Sequence, residues 1–378
     1  MDSIFVKIAS YRDAELPRTI LSALSMAKFP ERLSFGVCWQ YDEVTYLDLD
    51  PFIDQPNFRV DQTYYENSLG CCWARNRCDL LYQGEKYMLQ IDAHTRFAQD
   101  WDQRYIDMLE RLDSEKPLLS TYPAPFTYVD GVEQCSLDKG MQRLVLSRIS
   151  KELTTTFKTE LVENNLKPVS SDFIAAGQIF THGRFCVEVE YDPGLYFSGE
   201  EISLSARAFT HGYDCYCPNE DLIWHFYQHS MPVHSVDHRD NQHQPSMQRL
   251  HTLFVEEHEE LGKYGFGKQR TLADFERRTG IDFKARTARE FVETDYKQLI
   301  ELDLSRIEQR DDYDFWIFTL RNIDDKEIYR RDLQPNEIPK HDSPHIYVDE
   351  RLIDEPISYG IWPHSKEQGF FTQQFRDL

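Results

Sequence analysis

Apolar positions open the chain in short runs that alternate with stretches of helical spacing. Ile4–Ala9 (I-F-V-K-I-A) is rich in β-branched residues and ends at Ser10-Tyr11-Arg12-Asp13, so it reads as a strand feeding a loop. Leu16, Ile20, Leu21, Leu24 and Met26 then follow helical spacing. Pro17 lies near the start, where its missing N–H would have no intrahelical acceptor anyway. Leu33–Gln40 reads as a second strand. Strand, loop, helix, strand is a βαβ unit, which implies a parallel pair with its ligand side at the strand C-termini.

The pattern repeats, with strands predicted at Phe58–Tyr65, Tyr87–Ile91 and Leu118–Thr121 and helices at Leu69–Leu81 and Trp101–Leu112. This first part is therefore α/β and doubly wound in the Rossmann manner. The stretch from Ala124 to Ser171 is less legible and is expected to carry acceptor-side loops. Regular signals return at Phe173–Thr181, in a helical pattern from Glu200 to Phe209, in strands Cys215–Cys217 and Leu222–Tyr227, and in a helix from Ser246 to about Leu261. The three glycines of Gly262–Lys268 predict a mobile loop, whose Lys263, Lys268 and neighbouring Arg270 either close over a ligand or form an exposed basic turn. Beyond Glu290 helical periodicity fades and short strand-like pieces follow: Phe315–Leu320, Ile328–Leu333, His345–Val348 and Ser358–Trp362. Two domains are expected, residues 1–289 and a small β-rich domain at 290–378. The tail's aromatics Trp316, Tyr347 and Trp362, read as exposed, are compatible with acceptor binding, homo-oligomerisation or partner docking.

Composition narrows the class. An apolar share of 40% with 24 Phe and 21 Tyr is enough to build a packed core, which excludes disorder as the main state. Forty-two basic against 65 acidic residues leave −23, a surface that repels a phosphate backbone and excludes nucleic-acid binding as the main role. An anionic nucleotide then needs a local basic pocket or a bound cation. No apolar run reaches the roughly 18–20 residues of a membrane span, and Met1–Val6 lacks the basic start of a signal peptide. The eight cysteines form no C-x-x-C pair and read as reduced structural thiols, so a cytoplasmic location is expected.

The sharpest chemical signal is Tyr87-Met88-Leu89-Gln90-Ile91-Asp92-Ala93-His94, a buried strand ending in Asp-x-His. Alternate residues of an extended segment share a side, so Asp92 and His94 can face one cation. A carboxylate with an imidazole suits Mn2+ or a similar divalent ion better than Ca2+. In the plainer reading, Asp92 caps a turn and His94 is a surface residue.

The segments Ile8–Asp13, Trp73–Arg77, Ile91–Phe97, Gly199–Ala206 and Trp224–Tyr227 together resemble GT-A-type nucleotide-sugar glycosyltransferases. More narrowly, they resemble the family that includes the cytoplasmic polypeptide N-acetylglucosaminyltransferases acting on hydroxyproline; the polypeptide GalNAc transferases are a more distant likeness. The resemblance covers about residues 3–280. It implies that Asp92 and His94 bind the Mn2+ that anchors a nucleotide diphosphate and that His225 completes the site; an ordinary hydrogen-bonded histidine is the alternative for His225. It places Ser10, Tyr11, Arg12 and Asp13 where the base and ribose bind, with Tyr11 stacking on uracil and Asp13 accepting a hydrogen bond. Asp13 as a simple helix cap is the alternative. Of Arg75 and Arg77, which a helix points apart, Arg75 is the candidate for the diphosphate. Glu200 or Glu201 is expected to hold the sugar or position the acceptor; two acids at a helix start are also what the macrodipole favours. His229, His234, His238, His243, His251 and His258 read as solvated or acceptor-side residues.

The activity this resemblance implies is metal-dependent transfer from a UDP-sugar, foremost UDP-GlcNAc, to a protein or glycan hydroxyl, with retention. The alternatives are a carbohydrate-binding or scaffolding protein on a decayed transferase fold, and a metal-dependent hydrolase.

Overall fold

The computed structural model describes residues 2–378 except 45–48, 137–139, 141, 151, 163–166, 228–238, 257, 289–296, 309, 324, 326, 336, 341–343 and 350–356. Within it the chain divides into two compact units, Met1–Arg286 and Thr287–Leu378.

The first unit is built on an eight-stranded sheet in the order Val169–Ser170, Asp214–Cys217, Pro117–Ser120, Gln178–His182, Tyr87–Asp92, Ile4–Tyr11, Leu33–Tyr41, Phe58–Tyr64. Ile4–Tyr11 lies between two parallel neighbours, Leu33–Tyr41 and Tyr87–Asp92, and both its faces are covered, as its nearly continuous apolar run requires. Gln178–His182 runs antiparallel to both of its neighbours, which makes the sheet mixed. Ile8, Phe35 and Leu89 are wholly buried in the core, each contributing about 1.5–3 kcal/mol. Lys7 interrupts the first strand. It is also fully buried, pairs with Asp79 and lies 4.5 Å from the centre of the Tyr191 ring.

Helix Leu16–Met26 buries Leu16, Thr19, Ile20 and Ala23, one stripe at helical spacing, and carries Pro17 in its first turn as expected. Helix Cys71–Asp79 is shorter than the predicted Leu69–Leu81, because Gly70 at φ 109 sets its start. Helix Glu200–Thr210 begins after Gly199, whose φ of 89 a side chain would strain. The helix expected from Ser246 begins at Arg239 instead and contains Pro245; its polar first turns carry no apolar stripe to read.

The less legible stretch folds into two hairpins, Ala124–Val129 with Val132–Cys135 and Gln142–Ile149 with Thr155–Leu161. Ala124–Val129 also belongs to a second sheet, ordered Thr95–Phe97, Ile223–His225, Ala124–Val129, Val132–Cys135. The glycine-rich segment is tied down rather than loose. Lys263 donates to both Glu190 oxygens at 2.8 Å, Gly267 N–H donates to Thr210 Oγ1 at 2.9 Å, and Arg270 pairs with Asp214 at 2.6 Å.

The second unit is an antiparallel assembly around Tyr313–Arg321 and Ser358–Ser365, with Glu327–Leu333 and Gly369–Phe370 at its flanks. Trp316, expected on the surface, is only 2% exposed and packs with Phe318, Leu320 and Tyr359 in the core. Trp362 is partly buried and donates Nε1–H to the Phe371 carbonyl at 2.8 Å. The Tyr347 side chain lies outside the described residues.

Candidate active site and metal centre

Two sheets meet at the C-terminal rim of Tyr87–Asp92, and their pairing assembles the cluster. Asp92 ends the buried strand, His94 sits in the following turn, and Thr95 starts the second sheet directly opposite His225. The Phe226 N–H donates to the His94 carbonyl at 3.0 Å, which fixes the two histidines side by side. Their Nε2 atoms are 2.9 Å apart, and His225 Nε2 lies 3.2 Å from Asp92 Oδ2. One ligating atom from each of Asp92, His94 and His225 falls within 4.8 Å of the others. Three convergent N, N and O atoms, with His225 Nδ1 buried and lacking a hydrogen-bond partner among the described residues, fit a divalent cation.

Around this cluster the charges are fixed by the protein. Arg75 Nη2 donates to Asp92 Oδ1 at 2.7 Å, and Nη1 donates to Glu200 Oε1. Burial works against an ionised Asp92, but Arg75 and the two histidines outweigh it and hold its carboxyl far below the usual range. Arg77, by contrast, points away to Asp61. Arg75, the candidate for the diphosphate, is thus engaged by two carboxylates at the cluster.

The predicted base and ribose residues lie at the end of the first strand and in the turn that follows it. Ser10 is fully buried at the end of the first strand, one residue beyond the level of Asp92, and its Oγ has no hydrogen-bond partner among the described residues. Tyr11 meets Tyr65 edge-on, and Arg12 pairs with Asp42 at 2.5 Å while its guanidinium lies 4.3 Å from the centre of the Tyr65 ring. Asp13 turns inward, its Oδ2 2.6 Å from His94 Nδ1 and its Oδ1 accepting the Glu15 N–H at 2.9 Å. Both its oxygens are therefore used inside the protein.

Asp92, Arg75, Glu200, Glu201 and His225 line one cleft of roughly 410 Å³, together with Tyr122, Thr154, Gly177 and Tyr227. Glu201 accepts from Tyr122 at 2.7 Å and from the Ala176 N–H at 2.9 Å. Burial pushes its carboxyl up to about 7, against the pull of those two donors and with added repulsion from Glu200. Cys71, Cys72 and Glu200 form a second group of close ligating atoms, but Arg75 already neutralises Glu200 and burial pushes both thiols up. Tyr122, Gly177 and Tyr227 were not singled out in the sequence: Gly177 and Tyr227 fall within predicted regular segments but carry no metal-ligand spacing, and Tyr122 lies just past a predicted strand. His243, His251 and His258 pair with Glu152, Glu256 and Glu259, away from the cluster; His229, His234 and His238 lie outside the described residues.

Residues 3–51 and 42–285 match the model of the glycosyltransferase (GlcNAc) family. The chain belongs to this family. Among solved structures, this family member is similar to the crystal structure of GalNAc-T7 with UDP, GalNAc and Mn2+, with a TM-score of 0.52 and 16% identity. The match covers 73% of this chain and 54% of that one, so the chain spans about half the length of GalNAc-T7. The fold is accordingly GT-A-like. The structure of S. aureus TarS 1-349 gives a TM-score of 0.40 at 11% identity over 68% of this chain and 74% of that one, a likeness that carries no argument. No curated protein matches the chain. Among the described residues, no helix of this glycosyltransferase-family chain is long and apolar enough to cross a membrane.

Proposed function

We propose that this chain is a cytoplasmic, divalent-metal-dependent glycosyltransferase that moves GlcNAc from UDP-GlcNAc to a hydroxyl of a protein or glycan acceptor, with retention. The observation that carries the reading is the convergence of Asp92, His94 and His225 at the rim of a cleft that also holds Glu200 and Glu201. Family membership supports sugar transfer, and the structure of GalNAc-T7 with UDP and Mn2+ is the precedent for donor and ion.

A divalent cation bound by these three residues supplies positive charge against the departing diphosphate. Arg75 orients Asp92 through Oδ1 and leaves Oδ2 turned toward His225. Glu200, held by Arg75, and Glu201, held by Tyr122, present carboxyl groups to the cleft for sugar hydroxyls or the acceptor. Thr154, Thr155 and Thr156 line the same cleft from the second hairpin, which is the acceptor side in this reading. The β-rich second unit is assigned to homo-oligomerisation or acceptor docking.

A panel of UDP-sugars with Mn2+, scored for UDP release and for the anomeric form of the product, tests the assignment. UDP-GlcNAc should be the best donor, with an α-linked product. Turnover of no UDP-sugar by the folded, Mn2+-loaded protein would leave the scaffolding alternative.

A further inference from the structure

We propose that Asp13 is a positioning residue for the metal site: it fixes the His94 ring with its N–H on Nδ1, so that Nε2 offers its lone pair beside Asp92 and His225. This rests on the metal site put forward above.

A neutral imidazole carries one N–H, and the nitrogen without it is the one that can ligate. A carboxylate oxygen accepts hydrogen bonds, so the 2.6 Å contact between Asp13 Oδ2 and His94 Nδ1 is one in which Nδ1 carries and donates the hydrogen. Nε2 is then the lone-pair nitrogen, and it is the atom 2.9 Å from His225. Asp13 is well placed to impose this choice. It is 5% exposed, and its second oxygen is held by the Glu15 N–H, so the carboxylate cannot swing away. Arg12, at φ 51, turns the chain inward as it leaves the first strand.

The backbone on either side of His94 is held from helix Leu16–Met26, which follows Asp13. Thr19 Oγ1 donates to the Ala93 carbonyl at 2.7 Å and accepts the Thr95 N–H at 2.9 Å. The segment from Asp13 to Thr19 therefore grips His94 by its ring and by its flanking peptides. His225 has no such support, because its Nδ1 is buried without a hydrogen-bond partner among the described residues. One histidine is preset for a cation and the other is not. A carboxylate behind a ligating histidine also raises the basicity of the ligating nitrogen.

The test reads the metal-free protein by 15N NMR of its ring nitrogens, in buffer alkaline enough to keep imidazoles neutral, and then titrates it with Mn2+. His94 should carry its proton on Nδ1 in the wild type. In Asp13→Ala the Nδ1 preference should be lost and Mn2+ affinity should fall about 10–100-fold, with the His225 signal unchanged. Asp13→Asn, which still offers an oxygen acceptor, should lose less. A wild-type His94 protonated on Nε2 overturns the proposal without any variant, even if Asp13→Ala fails to fold. Unchanged Mn2+ affinity in folded Asp13→Ala overturns it as well. Neither readout needs a sugar donor, so the transferase assignment can fail its own test while this one stands; absence of Mn2+ binding to the wild type would remove both.

Discussion

Arg75 and Asp92 are joined at the rim of the central sheet, guanidinium Nη2 to carboxylate Oδ1 at 2.7 Å, with Arg75 only 7% exposed. Because the other arm of the guanidinium holds Glu200, one cation separates two acids that would otherwise repel each other. Arg75→Ala should therefore cost about 3 kcal/mol of stability, since it strands two partly buried charges. Arg75→Lys keeps the charge but not the fork, and should recover part of this loss. Arg77→Ala breaks only a half-exposed pair with Asp61 and should change stability by less than about 1 kcal/mol. Urea unfolding of the three variants measures this, and equal losses at Arg75 and Arg77 would refute it.

Removing the cation should stop the reaction. EDTA is expected to abolish UDP-sugar turnover and Mn2+ to restore it. His225→Ala should weaken Mn2+-dependent nucleotide binding, read by calorimetry, while circular dichroism stays native. Binding unchanged in that variant would return His225 to the role of a core histidine.

Gly177 lies in the turn just before the antiparallel strand Gln178–His182, and a Cβ there would meet Asp92 Oδ2 at 2.9 Å. That oxygen is the one facing His225. Gly177→Ala should displace it and weaken Mn2+ binding about tenfold, roughly 1.4 kcal/mol, with little change in the unfolding midpoint. A Mn2+ titration indistinguishable from wild type would show that the carboxylate has room to yield.

Glu201 gives the fold a pH dependence. Burial raises its carboxyl from the ordinary 4.5 to about 7. Below that window folded and unfolded chains both carry the proton; within it only the folded chain does. This group's contribution to stability therefore falls as pH rises from 4.5 to about 7, then levels off. Glu201→Gln cannot ionise and should gain relative to wild type across the window. The expected gain is on the order of 1–2 kcal/mol, reduced because the residue lines an open cleft. Parallel stability curves for the two proteins would rule out the shift.

A chain ending at Arg286 should fold alone, because every proposed site residue and the eight-stranded sheet precede that point. Native-like circular dichroism and a monodisperse elution profile are expected. Aggregation would mean that the first unit depends on the second for cover.

The central strands were readable because a strand covered on both faces writes a continuous apolar run, as Ile4–Ala9 and Tyr87–Ile91 do. Asp92 and His94 were visible for the same reason, standing where such a run stops. The place of His225 beside them came from the family resemblance and not from spacing, since it depends on contact between residues 133 positions apart. Lys7 hid in an apolar run because its partner, Asp79, lies on a helix that the sequence does not align with it. Arg75 and Asp13 were picked out as site residues, yet their contacts are with Asp92, Glu200 and His94. Residue type announces charge, whereas only the fold decides which opposite charge lies nearest. The two hairpins between 124 and 161 were illegible because only one strand of each buries alternate residues, Ala124 and Phe126 or Leu144 and Leu146, while its partner is mostly exposed.

The reversed strand Gln178–His182 has a consequence for how the chain reaches this state. Both of its neighbours, Tyr87–Asp92 and Pro117–Ser120, leave the ribosome before it does. For as long as it is missing, two apolar strand edges stand ready to pair with each other, and any such pairing must be undone to admit the late arrival. Ala176 and Gly177, in the turn that leads into that strand, line the cleft, so the cleft is among the last features to exist. Refolding is therefore expected to be slow and sensitive to concentration, with Mn2+ capture marking its final step.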